Sequence, residues 1–156
     1  MKRLLHCVDF NNDFMRADGA LAVPGAEALI PAVNKFFENV KAGTFDAALF
    51  TYDSHFTGEY PFSPESKAFP NIHCEYGTKG WELAVDPGIL SCKMPVSYMT
   101  KNVFDMWGSN PVDADQKIEF KSEQERQAYR NLFQVTDDPV CLKPGTPRDE
   151  FLKDVG

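Results

Sequence analysis

The stretch from Arg3 to Tyr52 constrains the fold more than any other part of this chain. Arg3 to Val8, RLLHCV, reads as a short buried strand that ends at Asp9. Ala26, Leu29, Ile30, Val33, Phe36, Phe37 and Val40 then recur at three- and four-residue steps. That spacing predicts an amphipathic helix with these side chains on its inner face. Pro31 falls in the first turns and blurs the start, and Gly43 is placed to end the helix. Phe45 to Tyr52, FDAALFTY, reads as a second buried strand. Strand, helix, strand is a βαβ unit, so the expected fold is α/β with a parallel sheet and right-handed crossovers.

The rest of the chain adds to that frame. Met94 to Met99, MPVSYM, predicts a third strand running on to Lys101, with Pro95 at its start or on an edge. KSEQERQAYRNLFQ predicts a charged helix with Tyr129, Leu132 and Phe133 facing inward. TPRDEFLKDVG predicts a short helix with Thr146 as N-cap, Pro147 at its first position, Glu150 completing a capping box and Gly156 as its stop. Between the second and third strands, residues 53–80 hold Pro61, Pro64, Pro70, Gly58, Gly77 and Gly80, and no period survives. A long aperiodic loop in a compact domain is usually functional or disordered, and Phe56, Tyr60, Phe62, Phe69 and Tyr76 argue for order.

Length and charge narrow the function classes. With 156 residues, 43% hydrophobic and 25% charged, the chain reads as one globular domain spanning 1–156. A net charge of −7, with no basic run longer than Lys2-Arg3, argues against nucleic acid, whose phosphates need clustered cations. The apolar runs are far short of the ~20 residues of a spanning helix. MKRLLHCVDF opens with positive charge, but His6 and Asp9 interrupt the apolar stretch, so it is not read as a signal peptide and a cytoplasmic location is expected. Cys7, Cys74, Cys92 and Cys141 form no CxxC pair, and reduced thiols are the expectation.

Ligands of a parallel sheet bind beyond the carboxyl ends of its strands. Asp9, Asp53 and Lys101 stand at those ends. Each alone also suits a turn cap or a solvated loop start. Asp53 and His55 are two apart, so in extended backbone they point the same way and can converge on one ion. His73 and Glu65 lie in the loop that follows. Imidazole and carboxylate together suit Zn, Fe or Mn.

Several segments resemble one known family. VDFNNDFM (Val8–Met15), GALAVPGAEALIPAVN, TYDSHF, PESKAFPNIHCEYGTKGWEL and YMTKNVFDMWGS are similar to the ordered motifs of the isochorismatase-like cysteine hydrolases, in their nicotinamidase/pyrazinamidase branch. The resemblance implies a doubly wound, mostly parallel α/β sheet with Rossmann-like order. It implies hydrolysis of nicotinamide or a related small-molecule amide to the acid and ammonia. Asp9 would be the acid–base group and Lys101 the cation beside it. A divalent metal, Zn before Fe or Mn, would be held by Asp53, His55, Glu65 and His73, with Glu59 the alternative to Glu65. Phe14 and Phe69 would flank the substrate ring, with Trp107 a weaker candidate for the same wall.

The chain departs from the family in two places. FPNIHC is one residue longer than the family's FPPHC, which bears on how His73 approaches the metal. The family's nucleophilic Cys follows a further strand at a helix start, and no segment here resembles it. The chain therefore resembles the N-terminal portion of such a hydrolase, and the expected sheet is open to being incomplete at the C-terminus. Cys141 stands between prolines and Cys7 reads as core, so neither suits a reactive thiol. Two other readings remain: a metal hydrolase that needs no thiol, and a family member that binds a ligand or partner without turnover. An open sheet edge and aromatic loops also raise the prospect of a homo-oligomer.

Overall fold

A computed structural model describes residues 2–113 and 115–155 of the protein. Three parallel strands form the sheet, β1 (Leu4–Val8), β2 (Ala47–Asp53) and β3 (Val96–Lys101), in the order β1-β2-β3. Register pairs Cys7 with Phe50 and Asp53 with Lys101. All residues of β2 are buried. A strand covered on both faces needs an unbroken apolar run rather than alternation, which is why AALFTY could be read directly. Among the described residues β1 pairs on one side only.

The helices are α1 (Asn12–Met15), α2 (Ile30–Asn39), α3 (Gly88–Ser91), α4 (Glu123–Arg130) and α5 (Arg148–Val155). One face of the sheet (Cys7, Phe50, Tyr52, Tyr98) packs with Ile30, Phe37, Trp81 and Leu90 in the main core. The other face (Leu49, Met99) packs with Val135, Leu4, Met106 and Phe151. A short antiparallel pair, β4 (Gln134–Val135) with β5 (Thr146–Pro147), carries Val135 onto that second face. No helix is long and apolar enough to cross a membrane among the described residues.

The structure corrects several boundaries. Helix α2 stops at Asn39, and Gly43 instead makes a left-handed turn (φ 80°) into β2. A 3-10 turn over Ala26–Leu29 precedes α2, so Pro31 sits near the α-helical start, where its missing N–H costs nothing. Leu29 and Phe36 share the apolar stripe but are 56% and 48% exposed. The stripe is wider than the face that β1 and β2 cover. Strand β3 begins after Pro95, whose carbonyl accepts the Ala48 N–H.

Two more corrections concern helix ends. Thr146 and Pro147 do not cap α5; they pair with β4, and the helix opens at Arg148. Gly145 permits this because a Cβ there would lie 2.2 Å from the Val135 carbonyl oxygen. Gly156, the expected helix stop, lies outside the described residues. Helix α4 is capped by the Ser122 hydroxyl, which accepts the Glu125 N–H, and ends at Arg130. Leu132 is buried beyond it, while Phe133 takes φ 63° and donates its N–H to the Thr100 carbonyl.

Candidate active site and metal centre

Sheet register sets the first part of the site. β1 ends at Val8, just before Asp9, while β2 ends at Asp53 and β3 at Lys101, and the Asp9 N–H still reaches the Thr51 carbonyl at 2.9 Å. Asp9 then takes a left-handed conformation (φ 56°). That region is costly for a residue with a Cβ, and such outliers cluster where chemistry is done. Lys101 is 1% exposed and its Nζ donates to Asp9 Oδ2 at 3.0 Å. The same Nζ lies 4.0 Å from Asp53 Oδ1 and 3.1 Å from the Val103 carbonyl oxygen. Burial pushes the Asp9 carboxyl above the ordinary range, and the Lys101 charge opposes that rise.

The second part forms where β2 runs into its loop. Asp53, His55, Glu65 and His73 each offer a ligand atom within 4.8 Å of the others, and all four are buried. His73 Nε2 lies 3.2 Å from Asp53 Oδ2 and 3.6 Å from Glu65 Oε1. His55 Nε2 lies 3.4 Å from both Asp53 Oδ2 and Glu65 Oε2. Both Nε2 atoms are buried without a well-formed hydrogen bond. Buried polar atoms without partners are rare and call for an ion or another group. Two imidazoles and two carboxylates also match the borderline donor set of a divalent transition metal. The residues therefore fit a metal ion, and Glu65, not Glu59, belongs to the converging set.

Electrostatics in the cluster is mutual. Burial lifts Asp53, but the close imidazoles of His55 and His73 outweigh it and hold the carboxyl well below the usual range. Glu65 is lowered in the same way, against burial. Burial would depress His55, yet Asp53, Glu59 and Glu65 raise it to about 11. His73 is raised to about 9 by Asp53 and Glu65, again against burial. Without a metal, the protons on the imidazoles supply the positive charge that the carboxylates require.

Phe14 and Phe69 both flank His73, with ring centroids 5.6 and 5.9 Å from its imidazole. Phe104 meets Phe69 at 6.3 Å and is 73% exposed; it was not singled out in the sequence, although it follows Lys101 by three positions. A cavity of about 200 Å³ opens there between Pro64, Glu65, Asn102 and Phe104. Trp107 lies apart, over the Arg148 guanidinium. A larger cavity, about 510 Å³, opens beside Asp13 and Arg16 and includes none of these residues.

Asn11 and Asp13 were also missed in the sequence. Asn11 is fully buried; its Oδ1 accepts the Asp53 N–H at 3.2 Å and its Nδ2 donates to the Asp53 and Trp81 carbonyls. Asp13 Oδ2 accepts the Cys74 N–H at 2.7 Å, next to His73, where Cys74 takes φ 46°. The NND run thus clamps both chain segments that carry the imidazoles. Its signal in the sequence was a polar cluster beside a strand end, which reads equally well as a turn.

No family model matches the chain. Over 88 residues it is 35% identical to a Bacillus subtilis protein described as an uncharacterized isochorismatase family protein PncA, a match covering 53% of this chain and 44% of that one. The chain thus spans less than half the length of the curated relative it matches. The pyrazinamidase/nicotinamidase of Streptococcus mutans UA159 superposes with a TM-score of 0.50 at 23% identity, covering 85% of this chain and 68% of that one. The nicotinamidase PncA of Bacillus subtilis superposes with a TM-score of 0.42 at 26% identity, covering 65% and 57%. In its sequence and in its parallel sheet, the chain is similar to the isochorismatase-like hydrolases of the nicotinamidase/pyrazinamidase branch.

Proposed function

We propose that these residues form the acid–base and metal-binding part of an amidohydrolase acting on nicotinamide or a related amide. The observation that carries this reading is the Asp9–Lys101 contact of 3.0 Å, which stands 4.0 Å through Lys101 from the Asp53 carboxylate of the buried cluster. A proton-transfer pair and a site that fits a metal share one strand end, and that is where a parallel sheet binds small molecules.

The chemistry is acyl transfer. A Cys thiolate adds to the amide carbonyl carbon, the tetrahedral adduct collapses, the C–N bond breaks and ammonia leaves behind a thioester. Water then adds to the thioester and releases the carboxylic acid and the thiol. Asp9 takes the thiol proton and delivers it to the leaving nitrogen. A carboxyl raised by burial suits that double role, since it can hold the proton between the two transfers. Lys101 steadies the negative charge shared by Asp9 and the thiolate. Asp53, His55, Glu65 and His73 would hold the metal, Zn before Fe or Mn, which supplies a Lewis-acidic anchor for a ring nitrogen or for water. Phe14 and Phe69 stack about the substrate ring and align its carbonyl.

The nucleophile in this reading is a cysteine outside residues 1–156. Burial pushes Cys7 and Cys141 up to about 12 and raises Cys74 as well, with the Asp53 and Asp13 charges adding to the rise. Cys92 is exposed just before β3, at the opposite end of that strand from Lys101. The unpaired edge of β1 beside Asp9 is where a further strand could bring a thiol to the pair.

Ammonia release from nicotinamide by the full-length gene product tests the reading. Asp9→Ala is expected to abolish release, as is thiol alkylation. Turnover that survives Asp9→Ala sinks the mechanism. Turnover lost with Asp9→Ala but resistant to alkylation would point to metal-assisted hydrolysis without a thiol.

A further inference from the structure

The two imidazoles of the cluster are backed by adjacent residues that the ligand reading does not use. Glu59 is fully buried, and its Oε2 lies 3.9 Å from His55 Nδ1, on the side of the ring away from the cluster. Tyr60 is buried next to it, and its hydroxyl lies 3.4 Å from His73 Nδ1. Both are carried by one turn, in which Glu59 and Tyr60 donate their N–H groups to the Phe56 carbonyl at 2.9 and 2.8 Å.

Donor and acceptor roles follow from these contacts. The Tyr60 hydroxyl donates its only proton to the Phe69 carbonyl at 2.5 Å, so toward His73 it can only accept. Once the ring gives up one proton to ligate, that places the remaining His73 proton on Nδ1 and leaves the Nε2 lone pair facing Asp53 and Glu65. Glu59 Oε2, at 3.9 Å, stands beyond hydrogen-bond reach of His55 Nδ1, which has no other partner, so its carboxylate acts on that ring by charge, favouring a proton on Nδ1 and, in the neutral ring, an Nε2 pair directed at the same point. An imidazole that is to ligate through one nitrogen is oriented by the bond its other nitrogen makes.

Glu59 is itself held. Its Oε1 accepts from Asn102 Nδ2 at 3.0 Å, and its Oε2 accepts the Phe56 N–H at 3.4 Å. Asn102 Nδ2 also reaches Asn110 Oδ1 at 3.0 Å, and Asn110 Nδ2 donates to the Tyr129 hydroxyl at 2.6 Å. Asn102 immediately follows Lys101, so this part-buried chain ties Glu59 to the strand that carries the Asp9 partner.

We infer that the Glu59-Tyr60 dipeptide is the outer support of the metal centre, fixing both imidazoles with Nε2 inward. This rests on the metal reading above. Glu59 and Tyr60 are positioning residues: neither reaches the converging ligand atoms.

The test is Zn²⁺ affinity by chelator competition on the full protein, for wild type, Glu59→Gln, Tyr60→Phe and Asp53→Ala. Imidazole nitrogen NMR shifts on the Zn²⁺-loaded protein and thermal unfolding of the metal-free form accompany it. Glu59→Gln keeps size and the Asn102 contact but removes the charge, and should weaken Zn²⁺ about 10–100-fold. Tyr60→Phe should weaken it about 10-fold, the lower end of that range, because a neutral hydroxyl replaces the carboxylate. Both should leave metal-free unfolding close to wild type, and wild type should show both rings protonated on Nδ1. Unchanged affinity in either variant overturns the assignment for that residue, as do rings protonated on Nε2. If Asp53→Ala abolishes binding while the other two variants match wild type, only the support role fails. If wild type binds no Zn²⁺, or Asp53→Ala binds it as tightly, the metal reading fails and this inference falls with it.

Discussion

Lys101 Nζ donates to Asp9 Oδ2 at 3.0 Å, joining the ends of two strands that are not neighbours in the sheet. β2 lies between them, and its last residue, Asp53, sits 4.0 Å from the same ammonium. One buried cation thus connects the Asp9 carboxyl with the cluster. Removing it should be felt twice. Lys101→Met should cost about 2–3 kcal/mol in urea unfolding, below the full cost of breaking a buried pair because Asp9 is partly exposed. It should also raise the Asp9 pKa further, seen as a shift of the acidic limb of the pH–rate profile toward higher pH.

The metal-free protein should lose stability as pH rises from neutrality. His55 at about 11 and His73 at about 9 both lie above the ordinary imidazole value of 6.5. A raised imidazole contributes stability that is fully present below pH 6.5 and is lost as pH climbs through 9 and then 11. Asp53, held low, contributes above its ordinary value of 3.8, and that share is lost as the solution is acidified further. Thermal unfolding of the chelated protein from pH 4 to 10 should therefore show its maximum on the acidic side of neutrality. A flat profile between pH 7 and 10 would contradict the protonated pair.

Metal binding should release protons for the same reason. Both imidazoles must give up a proton to ligate, so Zn²⁺ affinity should rise with pH, by as much as on the order of 100-fold per unit below pH 9 if both protons leave. Calorimetry in buffers of different ionisation enthalpy counts them directly. At 100 times Kd, Zn²⁺ should also add about 2.7 kcal/mol of stability, an increment that Asp53→Ala removes.

Asn11→Ala should destabilise by about 3 kcal/mol, since it strips partners from the buried backbone of Asp53 and Trp81 at about 1 kcal/mol for each hydrogen bond. Denaturant unfolding measures this. Metal affinity should fall as well, because Asp53 loses the clamp that holds its backbone.

Phe36 and Phe37 provide a sharp contrast on α2. Phe37 is 1% exposed in the main core and Phe36 is 48% exposed. Phe37→Ala should cost about 3–5 kcal/mol, while Phe36→Ala should cost under about 1 kcal/mol, as surface positions generally do. Equal costs would show that the Phe36 face is covered in solution, and sedimentation would then report a self-associated species.

The strands were legible because their cause is local. An apolar run ending in a polar residue is the mark of a parallel strand buried on both faces, and β2 followed it to Asp53, whereas β1, expected to be buried in the same way, is buried only at Cys7 because its outer edge is unpaired among the described residues. The α2 period was equally local, but which part of a broad stripe is covered depends on what packs against it; Leu29 and Phe36 stayed open for that reason. Thr146 offered a helix cap by its own chemistry, and β4 claimed it for a strand pair instead. Residue types and spacing marked Asp53, His55, Glu65 and His73 as potential partners. Only the folded loop brings Glu65 rather than Glu59 into the converging set, because both carboxylates lie within 3.9 Å of His55 and just one also nears Asp53 and His73. The sequence marked Asn11 and Asp13 only as a polar cluster and Glu59 only as an alternative ligand, and the backing by Tyr60 not at all. Their roles consist of contacts across long separations, and such contacts exist only once the chain has closed.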